Sequence, residues 1–331
     1  MSKERNLNNG GQRGTTLSRV AWLTRRLFWL SPFHPLTSSP LRPLILLPYF
    51  FLLSLTAFAQ NPPQRTAVCV LDFGAAGAER EATAGLAQGL AAQPALAVND
   101  RDESRAAARG AGYKGSLNLS LEEARDLGGA LGCDFYLLGR TATEARSTLA
   151  RPRFFASYAA ILLVSSRTGR LIQWDTVSVE EPNAERAAAA LPAALIARAG
   201  VYGAAIEQAQ AQEKEEESQR LAPVAARLEE VADADSPAAE GLRLPAPYRR
   251  LTPVYPATAA QVKAAGTVDI LVTLDAAGEV QKVAIARWVG FGLEEETSKT
   301  VRQMHFRPAM REGVAVPLRV LLRYNFRPQG Q

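Results

Sequence analysis

The chain has 331 residues, 47% of them hydrophobic, and its 38 Lys/Arg against 33 Asp/Glu give a formal net charge of +5. That is enough apolar material for a packed core and enough length for two domains. Residues 1–59 hold seven Lys/Arg and one Glu, so residues 60–331 are left with a net charge of −1, and the part that folds carries no nucleic-acid footprint.

The first element in chain order is an export segment. Arg19, Arg25, Arg26 and Arg42 precede "PLILLPYFFLLSLTAFA", residues 43–59, and no charge occurs from Pro43 to Gln64. The run ends in Ala57-Phe58-Ala59, the small-residue pattern that signal peptidases cut. It is shorter than the roughly 20 residues of a spanning helix. Residues 1–59 therefore read as a signal peptide, with an N-terminal inner-membrane anchor at 43–59 as the alternative. Either way the charge bias sends residues 60 onward into the periplasm and cell envelope. Export makes Cys69 in "AVCVLDF" and Cys133 in "LGCDFYLLG" a candidate disulfide pair, with buried free thiols as the other reading.

Residues 60–203 read as an α/β domain. "TAVCVLDF" is a buried strand, "AEREATAGLAQGLAAQ" a helix and "PALAVNDR" a second strand. Ser120 with Glu123 forms a capping box opening a helix that leads into "CDFYLLGR". "RFFASYAAILLVSS" and "RLIQWDTVSVEE" are long strands joined through Gly169, and residues 183–203 close the domain as an Ala-rich helix. Residues 204–244, with ten acidic and four basic side chains, read as an acidic helical and flexible linker. On that basis the segments flanking it are expected to fold independently.

Residues 245–331 read as a small α+β domain in the order β-β-α-β with an antiparallel sheet. "TVDILVTLDAAGEVQKVAIARW" is a hairpin, "GLEEETSKTVRQM" a helix, and the last strand alternates. Val316, Leu318, Val320, Leu322, Tyr324 and Phe326 share its apolar side, and Arg319, Leu321, Arg323 and Asn325 its polar side. No later strand covers its far edge, and an uncovered edge invites another chain to pair.

Nothing in the sequence asks for an enzyme, a cofactor or a metal. "GAGYKG" at 110–115 matches a dinucleotide fingerprint but follows a helical stretch where a strand is required. The two histidines, His34 and His305, cannot build an ordinary metal site together, since His34 lies in the leader.

Residues 245–331 resemble the TonB C-terminal domain. Pro253, Tyr255 and Pro256 in "PVYP", Gly266 and Val268 in "GTVDILVTLD", Gly278 and Val280 in "GEV", and Phe306, Pro308 and Gly313 in "FRPAMREGVAVP" carry the resemblance. It implies a periplasmic, non-enzymatic domain that binds outer-membrane transporters by adding their extended TonB box as a strand. It further implies energy transduction from inner-membrane proton-driven motor proteins. A periplasmic assembly module using the same edge without energy coupling is the alternative. The residues assigned to partner binding are Leu251 and Thr252, just before the Pro-x-Tyr-Pro turn, with Tyr255, Arg319, Leu321, Arg323 and Asn325. A homodimer through the same edge would satisfy the same backbone groups. More faintly, residues 66–180 resemble the α/β domain of curli-secretion channel proteins and the TolB N-terminal domain, through "VLDF", "VNDR" and "LGCDFYLLGR".

Overall fold

From Arg65 the chain alternates strand and helix: β1 (Thr66–Val70), α1 (Gly77–Ala91), β2 (Leu96–Val98), α2 (Arg101–Gly110), β3 (Leu119–Ser120), α3 (Leu121–Leu131), β4 (Phe135–Arg146), β5 (Phe154–Ser165), β6 (Leu171–Glu181) and α4 (Ala184–Arg220). The computed structural model describes residues 65–220, 229–230 and 241–328. The export segment at 43–59 and most of the stretch 221–240 lie outside the described residues.

The first sheet has the order β2-β1-β4-β5-β6. Strand β1 is parallel to β2 and β4, and β4, β5 and β6 continue as an antiparallel meander. Its central strands feed a core on each face. Val68, Leu137 and Ile161 pack with α1 and α4, whereas Cys69, Tyr136 and Leu162 pack on the other side with α2 and α3. Strand β5, "FFASYAAILLVS", is apolar nearly throughout because both of its faces are covered. The capping box opens α3: Ser120 Oγ accepts from the Glu123 N–H at 3.1 Å, and the Glu123 carboxylate accepts from the Ser120 N–H at 2.7 Å. Gly169, at φ +69°, turns β5 into β6 where a side chain would collide with the Leu121 carbonyl.

Helix α4 is long and apolar enough to cross a membrane by composition. Here its apolar side lies on the sheet, with Leu191, Leu195, Tyr202 and Ile206 buried. It also runs past residue 204, where the acidic helical stretch was expected to start. The helix continues to Arg220, and the buried Glu213 accepts hydrogen bonds from Ser165 Oγ (2.6 Å), Thr168 Oγ1 (3.1 Å) and Arg167 Nε (3.1 Å). Residues 204–220 are tied to the β5–β6 turn by a satisfied carboxylate, a contact that charge composition alone does not reveal.

The remaining elements are β7 (Glu229–Glu230), β8 (Leu242–Arg243), β9 (Ala246–Pro247), α5 (Ala257–Gln261), β10 (Gly266–Leu274), β11 (Val280–Trp288), α6 (Leu293–Arg302), β12 (Phe306–Arg307), β13 (Ala309–Arg311), β14 (Val314–Val316) and β15 (Leu318–Phe326). They build a second sheet in the order β3-β11-β10-β15-β7. Val268, Ile270 and Val272 of β10 are fully buried and share one core with Val301 of α6 and Tyr324 of β15.

Independent folding of the two segments is not what the structure shows. The described residues, 65 to 328, lie in one compact unit. Strand β3, from the first segment, pairs antiparallel with β11 of the second, Ser120 opposite Arg287 and Leu119 opposite Trp288. Asn118 closes the joint: its amide donates to the carbonyls of Thr267 (2.9 Å) and Trp288 (2.7 Å), and its Oδ1 accepts from the Thr267 N–H (3.0 Å). The indole N–H of Trp288 donates to the Gly169 carbonyl at 3.0 Å, and Arg140 donates to the Val262 carbonyl. One continuous core runs from Leu127 and Leu162 to Trp288 and Ile270, so separating the segments would return buried apolar area to water.

Candidate functional site

The second sheet has two edges, and the chain closes one of them itself with β3 on β11. The other belongs to β15. Strand β7 meets its outer side in parallel at Leu318 and Arg319, and among the described residues no strand pairs with that side from Val320 to Phe326.

Which backbone groups of β15 face outward follows from the ladder. Strands β10 and β15 pair without a register break, from Gly266 opposite Phe326 to Leu274 opposite Leu318. The Thr267 N–H and carbonyl both point to Asn118, on the β11 side of β10. In an antiparallel ladder both groups of a residue point the same way and neighbours alternate. Val268, Ile270, Val272 and Leu274 therefore bond to β15, through Tyr324, Leu322, Val320 and Leu318. The outward groups belong to Arg319, Leu321, Arg323 and Asn325. An independent contact agrees: the outward carbonyl of Arg323 accepts from Arg250 Nη2 at 3.1 Å.

The side chains of these residues do different work. Leu321 is 44% exposed. Arg323 spreads over the outer face of the sheet and holds Asp269 through Nε (2.7 Å) and Nη2 (2.9 Å), while Asp269 also meets Arg287 Nε at 3.4 Å. Arg287 reaches on to Glu123 of α3 at 2.8 Å, so an ion-pair chain runs from the open edge to the first segment. The Arg323 hydrogen bonds, against burial, hold the Asp269 carboxyl below the usual carboxylate range. Asn325 Oδ1 accepts from Thr267 Oγ1 at 2.8 Å.

Leu251 and Thr252 line a different place, a cavity of about 460 Å³ formed with Arg250, Glu296, Lys299 and Gln303. Tyr255 is half-buried. Its hydroxyl donates to the Ala264 carbonyl at 2.5 Å and its ring lies 6.3 Å from that of Phe326. The structure thus brings Arg319, Leu321, Arg323 and Asn325 together on one edge, places Leu251 and Thr252 beside α6, and uses Tyr255 as an internal tie. Sequence reasoning missed Asp269. An acid placed mid-strand among apolar residues was the available signal for Asp269.

Cys69 and Cys133 are both buried free thiols. Cys69 Sγ lies 3.7 Å from the Leu131 carbonyl, and Cys133 Sγ lies 3.9 Å from Ser166 Oγ. A hydrogen bond with Cys69 and burial push the Cys133 thiol up. Among the described residues no cluster of His, Cys, Asp and Glu could hold a metal ion. His305 is exposed and faces Glu279 at 3.1 Å.

Comparison with known proteins adds the family. Residues 252–328 match the model of the Gram-negative bacterial TonB protein C-terminal family. No curated protein matches the chain. Among solved structures it is similar to the TonB C-terminal domain of Pseudomonas aeruginosa, at 18% identity and TM-score 0.24 over 32% of this chain and 99% of that one. It is also similar to a hypothetical protein of Chlamydia trachomatis, at 12% identity and TM-score 0.26 over 35% and 72%, and to the LpoB C-terminal domain of Salmonella enterica, at 16% identity and TM-score 0.25 over 37% and 87%. Residues 252–328, from the Pro-x-Tyr-Pro turn through β15, are the part of the chain that matches the TonB C-terminal family model.

Proposed function

We propose that the protein is an exported cell-envelope binding protein whose β15 edge takes up an extended segment of a partner, in the first place the TonB box of an outer-membrane transporter. One observation carries the reading: of the two edges of the second sheet, the chain closes β11 itself and, among the described residues, leaves the outer side of β15 without a strand from Val320 to Phe326. The outward N–H and carbonyl groups of Leu321 and Asn325 supply ladder bonds, and exposed Leu321 supplies apolar contact. Leu251 and Thr252, in the neighbouring cavity, extend the contact beyond the ladder.

The test is Leu321→Pro. Its N–H faces outward, where proline is tolerated at a sheet edge, so the fold is expected to persist by circular dichroism. Binding of a TonB-box peptide should fall at least tenfold. Unchanged binding would place the ligand elsewhere.

A second reading, assembly with envelope proteins without energy input, is favoured by the packing of the C-terminal segment on the first one. A domain docked on its own chain and not swinging on a tether that starts at residue 204 has less reach. N-terminal sequencing of the mature protein separates the two. A chain beginning at Gln60 has lost its anchor and cannot couple to inner-membrane motor proteins. Homodimerisation through β15 belongs to the same proposal, because Asp269 neutralises Arg323 and so lowers the repulsion across a symmetric pair. Cys69 and Cys133 are free thiols here, and a thiol count on unfolded protein from an oxidising compartment decides their pairing: two free thiols keep this state, none means a disulfide.

A further inference from the structure

A cavity of about 910 Å³ lies between the β5–β6 hairpin and α3 on one side and β11 and α6 on the other. It is within the size range of small-molecule sites, and it sits where such sites concentrate, at a junction between two packed bodies. Its apolar surface comes from Leu171, Ile172 and Trp174 of β6 and from Ile285 and Trp288 of β11. Leu171, Ile172, Trp174 and Ile285 are only half-buried, so apolar area is left facing an unfilled space. Trp288 forms a fixed wall, held by its indole bond to the Gly169 carbonyl, and Trp174 is braced by Phe291, ring centroids 5.5 Å apart.

The charges at the mouth are not equivalent. Arg167 and Arg170 are spent on Glu213, Glu217 and Glu216 of α4. Arg125 and Lys282 line the same cavity and have no ion pair among the described residues. Of the acids present, Glu294 is buried with its Oε1 accepting from the N–H groups of Val289 and Gly290, which leaves exposed Glu295 as the one anion at the rim. An apolar body with two uncommitted cations over it selects a ligand of matching form.

We propose that this cavity binds an amphiphile with an anionic head and an acyl body, the acyl chain lying against Trp174 and Ile285 and the head group meeting Arg125 and Lys282. The site is remote from β15 and does not depend on what that edge binds. A free fatty acid and a lysophospholipid share this chemistry.

The tryptophans give the readout. Of Trp22, Trp29, Trp174 and Trp288, the two that lie outside the leader both line the cavity. With the full chain, 11-bromoundecanoate below its micellar concentration should quench tryptophan fluorescence saturably, and Trp174→Phe should lose most of that change. Dodecanoate should displace the probe, and dodecyltrimethylammonium and dodecyl maltoside should not. Displacement by lysophosphatidylglycerol at lower concentration than dodecanoate would assign the site to lipid, and the reverse order to free acid. The double variant Arg125→Glu/Lys282→Glu, both exposed positions, should keep the wild-type melting temperature and weaken the probe at least tenfold. Leu321→Pro should leave probe binding unchanged, which separates this site from the edge. The proposal is overturned by quenching that does not saturate, by equal displacement with the cationic amphiphile, or by light scattering that shows the full chain dimeric and the probe excluded.

Discussion

At the scale of single residues, Asp269 is the most exposed to consequence. It is 5% accessible, sits mid-strand in β10, and holds Arg323 and Arg287 on the outer face of the sheet. Asp269→Asn keeps the shape, removes the charge and replaces one acceptor oxygen with an amide NH2 facing a guanidinium group, and should cost about 1–3 kcal/mol at neutral pH. The folded carboxyl is depressed, so its contribution is present above the unfolded value and is lost as pH falls through the folded one. The gap between wild type and variant in urea titrations should therefore close below about pH 4, the ordinary carboxylate range. A gap that persists in acid would mean that packing, and not the ion pair, is being measured. Glu294 has the opposite sign: burial pushes its carboxyl up, against the Val289 and Gly290 N–H bonds. Its contribution is present at low pH and is lost as pH rises through the folded value.

At the scale of elements, the contrast lies between neighbouring positions of β15. Val320 points its N–H into the ladder with Val272, whereas Leu321 points outward. Val320→Pro should break the sheet and lower the melting temperature by more than Leu321→Pro, because it removes an internal donor as well as fixing φ. Equal effects of the two would refute the assignment of outward groups. The opposite edge depends on Asn118, which satisfies both groups of Thr267 and the carbonyl of Trp288 with one side chain. Asn118→Ala leaves those groups at a partly buried joint and should destabilise by about 1–3 kcal/mol. Hydrogen exchange is the sharper measurement: the Thr267 amide should lose protection, and those of Ile270 and Val272 should keep theirs.

At the scale of the molecule, one core crosses the boundary between the first and second segments. A body with a shared core and a shared sheet unfolds together. Calorimetry of the full chain should give a single transition for residues 65–328, with Trp174 and Trp288 fluorescence changing at the same temperature. Two resolved transitions would restore the picture of separate folding units. The ion-pair chain Arg323–Asp269–Arg287–Glu123 spans the same boundary, from the outer strand to α3.

Much of this was legible in the sequence, for local reasons. Period-2 alternation assigned Leu318, Tyr324 and Phe326 inward and Leu321 and Arg323 outward, because a strand alternates whatever it pairs with. The Ser120–Glu123 capping box and the Gly169 turn depend on side chains and φ angles within a few residues, and they too were readable. What the pattern could not carry is pairing at a distance. Asn118 meets Thr267 across 149 residues, and Glu213 meets Ser165 across 48. Neither contact leaves a local mark, since an Asn in a loop and a Glu in an acidic helix look solvated until another segment packs on them. So the sequence by itself determined the long strands and their faces. Only the tertiary structure decided which edge the chain closes for itself, where the helix ends, and which arginines are already taken, because those depend on satisfying buried polar groups with partners that packing alone brings near.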